Sequence, residues 1–123
     1  MTVDVLKKEG SMAVAKMVAR LFDLWRLSAQ EQVELLGLES ESELERYRSG
    51  KLVSHGGDIM DRAANLLSIH ASLRILFPRN RGLVYRWPST KNKAFGGLSP
   101  VEFIRKEGFA GLLAVKRYLE EEV

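Results

Sequence analysis

The sequence contains no cysteine among its 123 residues, which excludes disulfide-stapled scaffolds and thiolate metal sites. It also lacks an apolar run of the roughly 20 residues that a transmembrane helix needs. Even the most apolar stretch, residues 59–77, is interrupted by charged and polar side chains. The first ten residues carry four charges and no long apolar segment, unlike a secretory signal. We therefore expect a soluble, cytoplasmic protein with no membrane association.

The second absence is that of negative charge from one long stretch of the chain. Residues 62–101 contain seven arginines and lysines and no carboxylate, whereas residues 28–61 contain eight carboxylates and three basic residues. A stretch with charge of one sign can attract phosphates or an acidic protein surface. The alternative is a solvated surface whose charge is balanced by neighbouring acidic helices. The close grouping of cations in residues 79–93 favours a contact surface.

Apolar residues recur at spacings of three and four along most of the chain, which predicts an all-α protein of about six helices. The first helix is expected over residues 11–27. Capping boxes, in which a serine and a glutamate three residues later satisfy each other's backbone amides, predict three helix starts. These boxes begin at Ser28, Ser40 and Ser99.

The second half of the chain is expected to hold a long helix and a terminal one. Asp58 should cap the long helix, which Pro78 ends because proline cannot continue it. The last helix is expected over residues 109–121. No convincing strand pattern is present, although residues 83–87 could be extended.

Residues 27–50 contain two short predicted helices joined by a turn at Gly37. This arrangement is typical of a helix-turn-helix, whose second helix can lie in the DNA major groove. Three glutamates in that second helix would, however, face a polyanion at an energetic cost. DNA binding and a purely structural or dimerisation role both stay open. The candidate DNA contacts are Ser40, Ser42, Arg46, Arg48 and Lys51.

No set of side chains in the sequence is typical of an active site. His55 and His70 are the only histidines, and His70 is expected on the apolar side of its helix. His55 and Asp58 could form a pair close to Ser54, but no nucleophile motif or metal-ligand set accompanies them. We therefore assign no catalytic residue, no metal site and no cofactor.

A glycine-rich turn is expected after Trp87. The tryptophan itself suits either a core position or an interface anchor, because it is large and its indole N–H needs a partner. The Phe-Gly-Gly sequence permits positive φ and close backbone approach. No P-loop lysine and hydroxyl follow it, so a phosphate cradle is not expected. Asn92 should fix this turn through hydrogen bonds to the local backbone. The residues expected to shape the turn and the next helices are Phe95, Gly96, Gly97, Ser99, Pro100 and Gly108.

The order of these landmarks resembles the toxin-binding domain of the Xre/MbcA/ParS antitoxin family, over roughly residues 20–119. The pattern is a long helix ending near Leu-Phe, a tryptophan, an Asn–Phe–Gly–Gly–x–Ser–Pro turn, a short helix, a glycine and an amphipathic helix. The Leu-Leu-Gly-Leu turn and the closing residues 46–50 also resemble Xre-type helix-turn-helix proteins, in which an aromatic residue near the end of the second helix packs inward before a basic residue and a glycine. Departures are Pro88 directly after Trp87, a polar linker at residues 89–92 and the acidic second helix.

The resemblance implies a non-enzymatic antitoxin of a type II toxin–antitoxin system, whose partner is a RES-domain toxin. Such toxins consume NAD or use it to ADP-ribosylate a target, and the antitoxin is expected to cover their cofactor cleft. The acidic end of the chain would enter that cleft; a frayed terminus is the alternative. The expected toxin-binding residues are Arg79, Arg81, Arg86, Trp87, Lys91, Asn92, Lys93, Tyr118, Glu120, Glu121, Glu122 and Val123.

The resemblance also implies a homodimer, a larger toxin–antitoxin hetero-oligomer and autorepression through operator DNA. We expect a helix-turn-helix unit over residues 1–52 and a toxin-binding unit over residues 53–123, or one continuous compact unit. Two other functions stay open. One is a helix-turn-helix transcriptional regulator without an enzyme partner, and the other is an adaptor that retains only the fold.

Overall fold

Two long helices and the last helix of the chain form the centre of the fold in the computed structural model, which describes residues 3–51 and 57–123. Helix α1 (Val3–Leu24) packs against α4 (Gly57–Leu76), and α4 packs in turn against α7 (Phe109–Glu122). Their apolar stripes meet in a core that excludes water, which is the main driving force for this packing. Fully buried members include Val18, Phe22, Leu66, Leu73, Leu112 and Val115.

Two short helices, α2 (Ala29–Leu36) and α3 (Glu41–Arg48), cover one side of this core. The capping box predicted at Ser28 is confirmed: its hydroxyl accepts the Glu31 amide at 3.1 Å, and the Glu31 carboxylate accepts the Ser28 amide at 2.8 Å. Ser40 caps α3 by accepting the Glu43 amide. Gly37 ends α2 with a φ of 69°, which glycine adopts without a steric cost.

A short helix and two 3₁₀ turns connect α4 to the last two helices. Helix α5 spans Arg81–Arg86, the 3₁₀ turns span Trp87–Ser89 and Lys93–Phe95, and α6 spans Pro100–Glu107. The capping box predicted at Ser99 is confirmed. The extended alternative for residues 83–87 is wrong. The Asn80 side chain accepts the Leu83 amide at 3.1 Å, and its carbonyl accepts the Val84 amide, so this segment begins as a helix.

The predicted all-α fold is confirmed, with seven α-helices in the described residues where the sequence indicated about six. Helix α1 begins earlier than expected and ends at Leu24, because Arg26 adopts a left-handed backbone with φ of 57°. Asp58 lies inside the first turn of α4 and pairs with Arg62, so its predicted capping role is wrong. Ser54, His55 and the expected boundary at residues 52–53 lie outside the described residues.

The buried apolar side chains form a single cluster that draws on both expected units. Leu35 and Leu36 of α2 belong to it together with Ile104 of α6 and Leu119 of α7. Within the described ranges, neither long helix has an apolar stretch able to cross a membrane.

Candidate functional site

Four aromatic rings meet where the segment after α5 crosses the ends of α6 and α7. Phe95, only 6% exposed, lies at the centre of this aromatic cluster. Its ring centroid is 5.2 Å from Phe103, 5.3 Å from Tyr118 and 6.2 Å from Trp87. Trp87 and Tyr118 stack on each other at 6.4 Å with an interplanar angle of 15°, and both are half-buried. The cluster therefore fixes two partly exposed rings side by side.

The turn over residues 92–97 brings Phe95 into this cluster. The Asn92 side chain accepts the Ala94 amide at 2.9 Å, and the Asn92 carbonyl accepts the amides of Phe95 and Gly97. Gly96 and Gly97 take φ values of 67° and 87°. Asn92 thus has the local backbone role that its residue type suggested. Lys93, in the same turn, is exposed.

The predicted cations differ in how they are paired. Lys91 lies 3.5 Å from the Glu102 carboxylate, and both side chains are exposed. Hydrogen bonds from Ser99 are the main reason that the pKa of Glu102 is lowered, with Lys91 contributing less. The other predicted cations are exposed and form no ion pair within the described residues; they are Arg79, Arg81, Arg86 and Lys93.

Two of the predicted cations line different open grooves beside helix α5. The first, which we call the α4–α5 groove, has a volume of about 620 Å³ and includes Arg81. The second, of about 950 Å³, lies between the end of α1 and α5 and includes Arg86 and Arg26. Tyr85 lines both grooves. Neither groove includes the other three predicted cations of this segment, which are Arg79, Lys91 and Lys93.

His70 stacks on Tyr85 with ring centroids 5.6 Å apart. Partial burial, with a smaller contribution from Arg74, lowers the pKa of His70, so the neutral imidazole is favoured. Its Nδ1 atom has no hydrogen-bond partner in the described part of the chain. This environment suits a packed ring on the apolar side of α4 and provides no base or nucleophile beside it.

The acidic end of the chain is helical. Helix α7 continues to Glu122, and Leu119 within it is buried. Glu120 pairs with Lys116 at 3.3 Å. We call residues 120–123 the final turn; its four side chains are exposed, and Val123 is 57% exposed. The expected tail is thus the regular continuation of a packed helix.

The candidate DNA contacts on α3 fall into two groups. Ser42, Arg46 and Lys51 are exposed, and Ser40 is occupied as the cap of α3. Arg48 instead reaches back to α1 and α2. Its guanidinium lies 2.9 and 3.0 Å from the two Asp23 carboxylate oxygens and donates to the Gln32 amide oxygen at 3.0 Å.

Tyr47, beside Arg48, packs inward at 8% exposure, and burial raises its pKa to about 12. An inward aromatic residue near the end of the second helix is the feature that the Xre-type pattern indicated.

Two cations join the helix-turn-helix to the rest of the molecule. Arg105 of α6 donates to Glu34 of α2 at 2.6 Å and lies 3.8 Å from Glu31. Arg62 of α4 lies beside the turn at Gly37, where an added Cβ atom would be 2.8 Å from its Nε atom, and over the Phe109 ring of α7 at 5.4 Å, an attractive cation–π contact. These residues were not singled out from the sequence, because the partners of Arg105 are about seventy residues away in the chain and no local pattern connects them.

The sequence analysis also missed Ile75, which is 62% exposed in the α4–α5 groove beside Arg74. Its exposure could have been predicted from its position in the sequence. Ile75 follows the buried Leu73 by two residues, and residues two apart on a helix point to different sides. The sequence could therefore have identified Ile75 as an exposed apolar side chain within the stretch of residues 62–101 that carries only positive charge.

The geometry can be compared with known proteins. The family described as the antitoxin Xre/MbcA/ParS C-terminal toxin-binding domain matches residues 72–122. Uncharacterized protein y4oB of Sinorhizobium fredii (strain NBRC 101917 / NGR234) is 30% identical over 105 residues, which cover 84% of this chain and 78% of that protein. The matched domain includes the aromatic cluster and three of the four residues of the final turn, and it excludes the helix-turn-helix.

Proposed function

The chain belongs to the Xre/MbcA/ParS antitoxin family, and from this premise we propose that it neutralises a RES-domain toxin by covering that enzyme's active-site cleft. The family identifies the protein as an antitoxin with a toxin as its partner. In the proposal the toxin consumes NAD or uses it for ADP-ribosylation. The antitoxin itself performs no reaction and holds no cofactor or metal.

The stacked pair Trp87–Tyr118 is the observation that supports this proposal most. Both rings are half-buried, and Phe95 beneath them limits their movement. Tryptophan and tyrosine held in this way are typical anchors of protein interfaces, because they bury a large area at a small cost in side-chain entropy. Both residues lie within the matched toxin-binding domain.

The final turn of α7 begins two residues after Tyr118 and is the segment proposed to enter the cleft. Its three carboxylates would be attracted to a site that binds the phosphates of NAD. Because the turn is already helical and follows the buried Leu119, little ordering entropy opposes its binding. Lys93 and Arg86 would meet acidic groups at the rim of the cleft.

The test is inhibition of a cognate RES toxin by the purified protein, followed as NAD consumption over a range of antitoxin concentrations. We expect Trp87→Ala to weaken inhibition by about 30-fold, the effect typical of an interface anchor. Deletion of residues 120–123 should weaken it as well. The matched control is Met17→Ala, which removes an exposed apolar side chain of α1 that is 55% accessible and should leave inhibition unchanged.

Circular dichroism and thermal unfolding should show that each variant is folded. If folded Trp87→Ala and the deletion variant both inhibit as strongly as the unchanged protein, the proposed contact surface is wrong. If the unchanged protein forms no complex with the toxin at micromolar concentration, the proposed partner is wrong.

We also propose that the protein is a homodimer, that it forms a larger complex with its toxin and that it represses its own operon. For operator binding, the exposed Arg46 and Lys51 of the helix-turn-helix are the best placed cations. Each phosphate contact contributes about 0.9 to the slope of log affinity against log salt concentration. Replacing both residues by alanine should therefore reduce that slope by about 2. An unchanged slope would mean that other residues contact the operator.

A further inference from the structure

Three large apolar side chains are exposed within the described residues: Met17, Ile75 and Val123. Two of these side chains, Ile75 and Val123, lie among charges of opposite sign. Ile75 lies in the α4–α5 groove with Arg74 and Arg81, whereas Val123 follows three consecutive glutamates in the final turn of α7. The chain thus presents an apolar group among positive charges and another among negative charges, and the two settings complement each other.

The α4–α5 groove has the composition of a site for a protein side chain. Its apolar surface comes from Ile75, Phe77, Pro78 and Val84, and Arg81 contributes a guanidinium group. Neither Arg74 nor Arg81 has an ion pair in the described ranges. A nucleic-acid phosphate would satisfy the arginines and leave the apolar surface in water, so a segment with both carboxylates and an apolar group fits better.

The final turn of α7 is such a segment. Glu121 and Glu122 are exposed and have no ion pair in the residues that the structure describes. Val123 adds an apolar group that is 57% exposed. Within one chain, neither glutamate pairs with Arg74 or Arg81, so any pairing of these groups would join two copies.

We propose that the α4–α5 groove of one copy binds the final turn of α7 from a second copy. Val123 packs on Ile75 and Phe77, and the two unpaired glutamates face Arg74 and Arg81. This inference rests on the proposed function only in assuming a homodimer, to which it assigns one of the contacts. Because the contact consists of one helical turn in one groove, the association is weak and depends on concentration.

The final turn then has two binding sites that compete for it: the groove of a second copy and the cleft of the toxin. Self-association would keep the turn occupied until a toxin is present. Adding toxin should therefore release the copies from each other at this contact.

A charge swap tests the contact. The groove variant carries Arg74→Glu and Arg81→Glu, and the turn variant carries Glu121→Lys and Glu122→Lys. In each variant alone, like charges face each other, so self-association measured by sedimentation velocity should weaken at least tenfold. In an equimolar mixture, both possible pairings between the two variants join opposite charges. The mixture should therefore associate at least as strongly as the unchanged protein.

The control variant carries Arg46→Glu and Lys51→Glu, which reverse two exposed cations that do not line the α4–α5 groove and should leave association unchanged. The inference is overturned if either charge-reversed variant self-associates like the unchanged protein, or if the mixture associates no more than its components. It is also overturned if the groove variant loses operator binding while its self-association persists.

Inhibition of the toxin, measured with the same proteins, separates this inference from the proposed function. A charge-swap pattern in a protein that inhibits no RES toxin would support the self-contact and contradict the proposed function. Full inhibition of the toxin without the charge-swap pattern would support the proposed function and contradict the self-contact.

Discussion

The helix-turn-helix and the toxin-binding domain differ in how many cations they expose without an ion pair in the described residues: Arg46 and Lys51 in the first, and at least four in the second. In the helix-turn-helix, Arg48 lies against Asp23 and Gln32, and the exposed face of α3 carries Glu41 and Glu45. In the toxin-binding domain, four of the predicted cations are exposed and have no ion pair within the described residues. A cation that already has a partner must lose it before binding another anion. The comparison therefore favours the toxin-binding domain as the main contact surface.

The two regions also differ in how they are stabilised. The toxin-binding domain has an aromatic cluster around Phe95, whereas the short helices α2 and α3 depend on contacts with other elements. Arg105 holds α2 through Glu34, and Arg62 lies between the turn at Gly37 and the Phe109 ring. The helix-turn-helix is thus attached to the toxin-binding domain. Because the two regions are stabilised by different contacts, variants in them should differ in how much stability they lose.

The largest effect is expected for Phe95→Ala. Phe95 is 6% exposed and contacts three other rings, so its removal leaves a cavity and should lower the free energy of unfolding by about 3–5 kcal/mol. Urea unfolding followed by circular dichroism measures this change. Phe77→Ala, at a half-buried position outside the cluster, should cost clearly less; an equal cost would show that the cluster is not a centre of stability.

A smaller effect is expected at the junction between the regions. At Gly37, with φ of 69°, a Cβ atom would lie 2.8 Å from Arg62 Nε, so Gly37→Ala should cost about 1–3 kcal/mol. The control is Gly96→Ala, where φ is 67° and nothing lies within 4 Å. It should show only the backbone cost of about 1 kcal/mol.

The loss of unfolding free energy in Gly37→Ala beyond that in Gly96→Ala measures the cost of displacing Arg62. It should disappear when both glycine variants are compared in an Arg62→Ala background. If the excess persists there, the close approach of Arg62 is not its cause.

The smallest effect in this series separates two neighbouring arginines of α3. Arg48→Ala removes the ion pair with Asp23, in which the two side chains are 30% and 55% exposed, and should cost about 1 kcal/mol because solvent screens such a pair. Arg46→Ala should leave stability unchanged, because Arg46 is exposed without an ion pair in the described part of the chain. The thermal midpoint of unfolding measures the stability of both variants. Equal midpoints for Arg48→Ala and Arg46→Ala would show that the contact with Asp23 contributes little to stability.

Features stabilised by neighbouring residues could be predicted from the sequence. The caps at Ser28 and Ser99 and the Asn92 turn each join groups only two to three residues apart, so the residue types specify the geometry. The all-α class follows from the spacing of apolar residues, and the inward position of Tyr47 was implied by the resemblance to Xre-type helix-turn-helix proteins. Helix α5 was not predicted, because its six residues are too short to show a period.

The surface could not be predicted in the same way. From the sequence, Arg46 and Arg48 are two equivalent cations near the end of α3. The structure distinguishes them, because Asp23 lies 25 residues earlier in the chain and is brought beside Arg48 by the packing of α1. The placement of Arg81 and Arg86 in different grooves likewise depends on how α5 lies between α1 and α4.

Residue type and near neighbours were enough to predict six of the seven α-helices of the described residues, the caps at Ser28, Ser40 and Ser99, the glycine turns and the uneven distribution of charge. Which cations have partners, which apolar side chains stay exposed and how α2 is joined to α6 became visible only in the folded molecule. Those properties depend on contacts such as Arg105 with Glu34, separated by 71 residues. They form only after the hydrophobic core has brought distant helices together.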